Sequence, residues 1–208
     1  MADKKNIPDP TIKRLAQYLH LLLHLKEQGV EIVSSTLIAK ELVTDPTKVR
    51  KDIQFTNIVG KPKTGFRIED LINAIETTLN WNETNLAYLV GAGSLGKALL
   101  GYKNFENFGL KFLDAFDVDK LKIGKKIFGI DIHHISKLPH LSADLSNVMV
   151  ILTVPAEVAQ DVTDLIVESG IKAIWNFVPR SLKVPEDVIV EDMMLSQSLA
   201  VLTTKINR

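Results

Sequence analysis

Apolar residues recur at Ile12, Leu15, Leu19, Leu22 and Leu25. Steps of three and four put them on one face of a helix, so the pattern predicts an amphipathic helix over 11–28 that Gly29 ends. Residues 30–33 read as a short extended link. Ser34 or Ser35 can cap a short helix through Leu42, with Leu37, Ile38 and Leu42 turned inward. Thr44-Asp45-Pro46 is a start signal, because Asp45 can cap and Pro46 suits the first helical position. The helix it opens, 47–55, has Val49, Ile53 and Phe55 for an inner face. Thr47, Lys48, Arg50, Lys51 and Gln54 are left for the outside. Two short helices joined by a tight turn, the second basic on its outer face, match a helix-turn-helix. Extended ends around a Gly/Lys turn at 59–67 then read as the hairpin wing of a winged helix. Asp70 is expected to cap a last helix through Leu79, before a boundary at 80–82.

Beyond that boundary the period changes. An apolar run from Leu86 to Val90 leads into Gly91-Ala92-Gly93-Ser94-Leu95-Gly96 and a helix to about Phe105. A second strand, 110–116, ends at Asp117, and a basic exposed loop covers 120–126. A short strand near 127–132, a helix near 135–141, a buried strand over 147–154, a helix at about 156–168 and a strand over 171–177 complete the alternation. Strand alternating with helix implies a parallel sheet with right-handed crossovers. Leu195, Leu199, Leu202 and Ile206 stripe a final helix that either packs on its own domain or reaches a partner. The expected fold is α/β: a winged-helix domain at 1–82, a Rossmann-type domain at 83–190 and a C-terminal helix at 191–208.

The glycine run carries the chemistry. Gly91 permits a tight turn off the strand, Gly93 lets a pyrophosphate approach the backbone, and Gly96 allows close helix–strand packing. The helix N-terminus offers N–H groups and a positive dipole end to phosphates. Asp117 lies 21 residues past Gly96, where a carboxylate reads the adenosine ribose and favours NAD over its 2′-phosphorylated analogue. Gly91–Gly96, Asp117, Thr153–Pro155 and Asn176–Pro179 all fall at carboxyl ends of strands, where ligands of such sheets bind.

Charge sharpens the first domain. The chain is neutral overall, with 25 basic and 25 acidic residues. Between Lys48 and Arg67, however, Lys48, Arg50, Lys51, Lys61, Lys63 and Arg67 face a single acid, Asp52. Such a patch suits phosphates. The chain has no cysteine, which excludes disulfides, thiolate zinc sites and cysteine nucleophiles. No apolar run is long enough for a membrane span, and residues 1–6 lack a signal-peptide core, so a cytoplasmic protein is expected. His133 and His134 are adjacent and diverge on a strand. His20 and His24 share a helix face without a third ligand nearby. No metal site and no catalytic residue is expected.

A basic winged helix with Val49-Arg50-Lys51-Asp52, then Gly91–Gly96, then Val154-Pro155-Ala156, Asn176-Phe177-Val178-Pro179 and a terminal helix, resembles the Rex family of redox-sensing transcriptional repressors along nearly the whole chain. The resemblance implies a homodimer that grips palindromic operator DNA while the NAD pool is oxidised and lets go when NADH binds. It also implies a C-terminal helix swapped between subunits. By position it puts Thr47, Lys48, Arg50 and Lys51 on the recognition helix and Lys61, Lys63 and Gly65 in the wing. Gly91, Ala92, Gly93, Ser94, Leu95, Gly96, Asp117, Val154, Pro155, Tyr102 and Asn176 fall against NAD or NADH. Tyr102 would sense the nicotinamide end. Arg14 would pair with an aspartate of the swapped helix. Met194 stands where that aspartate belongs, with Asp192 two residues before it. The rival reading is a small NAD-dependent oxidoreductase whose N-terminal helices serve assembly.

Overall fold

The computed structural model describes residues 7–62, 64–140 and 148–206. The chain divides into two compact units, Met1–Glu83 and Thr84–Arg208.

In the N-terminal unit, α1 (Asp9–Glu27), α2 (Ser35–Glu41), α3 (Pro46–Ile53) and α4 (Ile68–Leu79) enclose one apolar core. Leu15, Leu22, Ile38, Val49, Leu71 and Ile75 are fully enclosed in it. Ser34 caps α2 by accepting from the Leu37 N–H at 3.1 Å. Asp45 caps α3 more tightly, accepting from Thr47 N at 2.7 Å and Lys48 N at 3.0 Å. Helix α3 stops two residues early and tightens into a 3-10 turn, Gln54–Thr56.

Two expectations are corrected here. Asp70 does not cap α4: Arg67 occupies the cap position without a side-chain bond, and Asp70 lies in the first turn, where its charge still meets the helix dipole. The arms of the wing also do not pair with each other as a regular hairpin. Among the described residues the backbone pairing of the two arms is a single bridge between Lys61 and Gly65. The return arm, β2 (Phe66–Arg67), pairs antiparallel with β1 (Ile32–Val33). Gly65 has φ +103°, and a Cβ there would collide with the Val33 carbonyl, so glycine is required for the wing to lie against β1. Lys63 falls outside the described residues.

The C-terminal unit is a seven-stranded sheet. Its strands are β3 (Asn85–Val90), β4 (Leu110–Asp117), β5 (Lys126–Ile127), β6 (Ile130–His134), β7 (Val148–Leu152), β8 (Ala173–Asn176) and β9 (Ile189–Asp192). The order is β5-β6-β4-β3-β7-β8-β9, parallel throughout except for the edge strand β5. Without β5 this is the doubly wound order 3-2-1-4-5-6. Separate cores fill the two faces, one around Phe116, Val150 and Ile166, the other around Leu89, Ala115 and Ile151.

The helix expected to run to Phe105 is broken. Helix α5 (Ser94–Leu100) ends at Gly101, and a single turn, α6 (Asn104–Asn107), follows. The Phe128 ring lies over Gly101, where a Cβ would come within 2.7 Å of it. The strand expected near 127–132 is a tight hairpin, β5 and β6 around Phe128-Gly129. The segment near 135–141 is a 3-10 helix, Ile135–His140, and Leu141 and Asn147 lie outside the described residues. Helix α7 (Ala159–Glu168) starts three residues later than the pattern suggests. Helix α8 (Leu195–Ile206) buries none of its residues within this chain.

Candidate nucleotide site and nucleic-acid interface

At the carboxyl end of β3 the backbone is held from both neighbouring strands. Gly91 N–H donates to the Phe116 carbonyl at 2.8 Å, and Thr153 N–H donates to the Val90 carbonyl at 2.9 Å. Thr153 Oγ1 donates to the Gly91 carbonyl at 2.7 Å. Gly91 has φ +100°, and a Cβ there would stand 2.8 Å from the Thr153 backbone. A Cβ at Gly96 would run into the Gly91 carbonyl and come within 2.9 Å of Thr153 Oγ1. The first turn of α5 can therefore cross the loop only on glycine. Gly93 differs: a Cβ built there meets nothing within 4 Å. The space over Gly93, beside the Ala92–Leu95 backbone and the first N–H groups of α5, is open to a phosphate. The cradle thus fits the pyrophosphate of a dinucleotide.

Asp117 closes the cradle on the β4 side. Its Oδ2 accepts from Ala92 N at 2.9 Å and from Lys122 Nζ at 2.8 Å, and its Oδ1 accepts from Asp119 N at 2.9 Å. Burial pushes this carboxyl up, but Lys122 and the two N–H donors outweigh it and hold it below the usual carboxylate range. Asp117 therefore builds the glycine loop. Lys122, expected in a free basic loop, is tied into this cluster.

Val154 and Pro155 follow β7 at the same edge of the sheet. Asn176 is fully buried and its amide is spent internally. Its Nδ2 donates to the Arg180 carbonyl at 3.0 Å and to Asp192 Oδ1 at 2.7 Å, while its Oδ1 accepts from Val178 N at 2.9 Å. The Asn176 side chain thus folds the 177–180 loop and clasps β9. Asp192 is correspondingly engaged within its own chain. Tyr102 is half exposed just past α5, edge-on to Phe105 with centroids 4.9 Å apart. Phe105 packs on Trp175 and Trp175 on Phe177, which continues the aromatic row. Sequence periodicity gives no sign of this row, because its members come from two distant stretches, around α6 and at the end of β8.

In the N-terminal unit, Thr47, Lys48, Arg50 and Lys51 are all exposed on α3, as is Gln54 just past it, and Arg50 Nη2 donates to Thr47 Oγ1 at 3.1 Å. A cleft of about 630 Å³ separates α3 from the wing, lined by Ser34, Arg50, Gln54, Lys61 and Thr64 among others. Asp52, the one acid in the basic stretch, is turned inward. It accepts from Arg14 Nε and Nη2 at 2.7 Å each, Tyr18 Oη at 2.7 Å and Thr11 Oγ1 at 3.1 Å. The outer face is therefore more positive than the residue count suggests. Within this chain the Arg14 guanidinium is engaged by Asp52 of the same winged helix. Burial raises the Tyr18 hydroxyl, and the neighbouring carboxylate raises it further. Among the described residues no group of three metal-ligating side chains occurs and no helix is long and apolar enough to cross a membrane.

Residues 6–53 match a family model described as a putative DNA-binding protein N-terminus, and residues 82–180 match one described as a CoA binding domain. The redox-sensing transcriptional repressor Rex of Treponema denticola is 44% identical over 100% of this chain and 99% of its own. The chain belongs to the Rex family. Rex of Bacteroides thetaiotaomicron is 40% identical over 99% of this chain and 93% of its own. The Rex-family repressor RSP, solved with NAD+ and operator DNA, superposes with a TM-score of 0.87 at 31% identity, covering 97% of this chain and 93% of that one. Its complex with NADH gives 0.86 over 98% and 95%. The Rex fold, a DNA-binding N-terminal domain followed by a Rossmann-like parallel sheet, is the fold of this chain.

Proposed function

We propose that this chain is an NADH-responsive transcriptional repressor that binds palindromic operator DNA as a homodimer in the cytoplasm. The observation that carries the reading is the pairing, in one Rex-family chain, of a glycine cradle open over Gly93 with a winged helix whose recognition face shows no exposed acid on α3. Residues 1–82 serve DNA, 83–190 serve the nucleotide, and 191–208 serve the partner. RSP, at 31% identity, has been solved both with NAD+ and operator DNA and with NADH, which supports both ligands here.

Lys48, Arg50, Lys51 and Lys61 supply affinity by neutralising phosphates, so binding falls steeply with salt. Arg50 and Lys51 read base edges in the major groove. Leu195, Leu199, Leu202 and Ile206 of α8 are each more than half exposed. A partner subunit covers them, and burying what is still exposed of four such side chains is worth roughly 4–8 kcal/mol. In the dimer the two recognition helices stand about 34 Å apart, one turn of duplex. The switch is a difference in NADH affinity between two dimer arrangements, typically about 5–150-fold.

Fluorescence anisotropy on a duplex selected from a random pool tests the reading. NADH should release the duplex while NAD+ leaves it bound. Arg50→Ala should weaken the grip on DNA and spare NADH binding. NADH that saturates the protein without loosening the duplex, or equal loss of both ligands in Arg50→Ala, refutes it.

A further inference from the structure

The Rossmann carboxylate that would refuse a 2′-phosphate is already paired. Lys122 Nζ sits 2.8 Å from Asp117 Oδ2 and 3.7 Å from Asp119 Oδ2. The lysine is held in place by its own backbone, whose N–H donates to the Asp119 carbonyl at 2.9 Å. Asp119 in turn is fixed by the Leu121 N–H on its Oδ1 at 2.9 Å. A carboxylate has about four acceptor positions. Those of Asp117 Oδ2 are filled by Ala92 and Lys122, and one of Oδ1 by Asp119, which leaves Oδ1 one position for a ribose hydroxyl. The cluster of Asp117, Asp119 and Lys122 sums to one negative charge where a bare pair of aspartates would present two. The Lys122 side chain remains about a quarter exposed, so its ammonium can turn toward an anion placed beside the ribose.

We propose that Lys122 is a specificity-setting residue of the adenosine end of the site: it cancels most of the repulsion from Asp117 and narrows the preference for NADH over NADPH. This rests on the reading of the glycine cradle as an NADH site. A like charge about 4 Å away near a protein surface repels by an amount equivalent to roughly tenfold in affinity or more.

The test is calorimetric titration of the full-length protein with NADH and with NADPH, for the wild type, Lys122→Met and Lys122→Arg. The ratio of the two dissociation constants is the readout, because a lysine that merely held the loop would move both constants together. Wild type should bind NADPH measurably. Lys122→Met, its folding checked by circular dichroism, should raise the ratio about tenfold whatever it does to NADH affinity itself. Lys122→Arg, which keeps the charge, should stay within about twofold of the wild type. An unchanged ratio in Lys122→Met, or wild-type NADPH binding too weak to detect beside good NADH binding, overturns the proposal alone. Failure of the wild type to bind NADH overturns the cofactor reading with it.

Discussion

Removing the Arg14 guanidinium should leave Asp52 as a buried anion with two hydroxyl partners in place of four donors. The Asp52 side chain is 4% exposed and that of Arg14 26%. The two 2.7 Å bonds lost in Arg14→Met are both charge-assisted, and Tyr18 and Thr11 remain. Breaking a buried pair on one side typically costs about 3–5 kcal/mol, because the remaining charge cannot rehydrate. Arg14 keeps some access to water, so Asp52→Asn should cost less, about 1–3 kcal/mol. The double variant should recover part of the loss. The sign of the pH dependence follows from Asp52. In the wild type burial pushes this carboxyl up, but Arg14, Tyr18 and Thr11 outweigh it and hold it below its ordinary value. Its contribution is present above the ordinary carboxylate range and is lost as pH falls through the lower folded value. In Arg14→Met only burial and two hydroxyls act, so the folded value rises and the penalty vanishes as pH falls toward 4. Urea unfolding followed by circular dichroism at pH 7 and pH 5 checks this, read on the transition of the winged helix. A loss below about 1 kcal/mol at pH 7, or one that grows on acidification, refutes the account.

Gly93→Val should lower NADH affinity by more than about a hundredfold by filling the open phosphate approach. It should change Tm by only a few degrees, since Gly93 has φ −77° and a Cβ there meets nothing within 4 Å; titration calorimetry beside a thermal melt separates the two. Gly96→Ala should instead destabilise the Rossmann unit itself, by about 1–3 kcal/mol, because its Cβ is driven into the Gly91 carbonyl. A melt unchanged from wild type would contradict that packing. Val43, in the turn between α2 and α3, has φ +50° and is 93% exposed. Val43→Gly should therefore stabilise the winged helix by about 1 kcal/mol in urea, and a lower midpoint would show that the valine makes a compensating contact.

Local signals carried the reading wherever one short stretch encodes its own structure. Ser34 and Asp45-Pro46 set helix starts because a cap needs only two or three neighbouring residues. The glycine spacing predicts the strand–loop–helix of β3 and α5 for the same reason. Elements that depend on distant partners were invisible. The break at Gly101 comes from the ring of Phe128, on a hairpin 27 positions away. The turn of Asp52 into the core depends on an arginine 38 residues earlier. Strand β9 is an edge strand with three of its four residues exposed, so it carries no apolar alternation to detect, and its pairing with β8 is set by backbone register. Asn176 shows the limit most clearly. Position at a strand end marked it for the ligand, while its amide had three partners inside the protein.

The clasp between Asn176 and Asp192 gives the terminal helix a fixed point of departure. Only Met193 and Met194 separate Asp192 from the first residue of α8, and the Met193 N–H is itself bonded to the Asn176 carbonyl at 2.7 Å. The loop that β8 delivers toward the mouth of the sheet and the stem of the last helix thus share one anchor. Any displacement of residues 177–180 that loosens the anchor tilts the stem, and over the roughly 18 Å length of a twelve-residue helix a tilt of a few degrees moves the far tip by about an ångström.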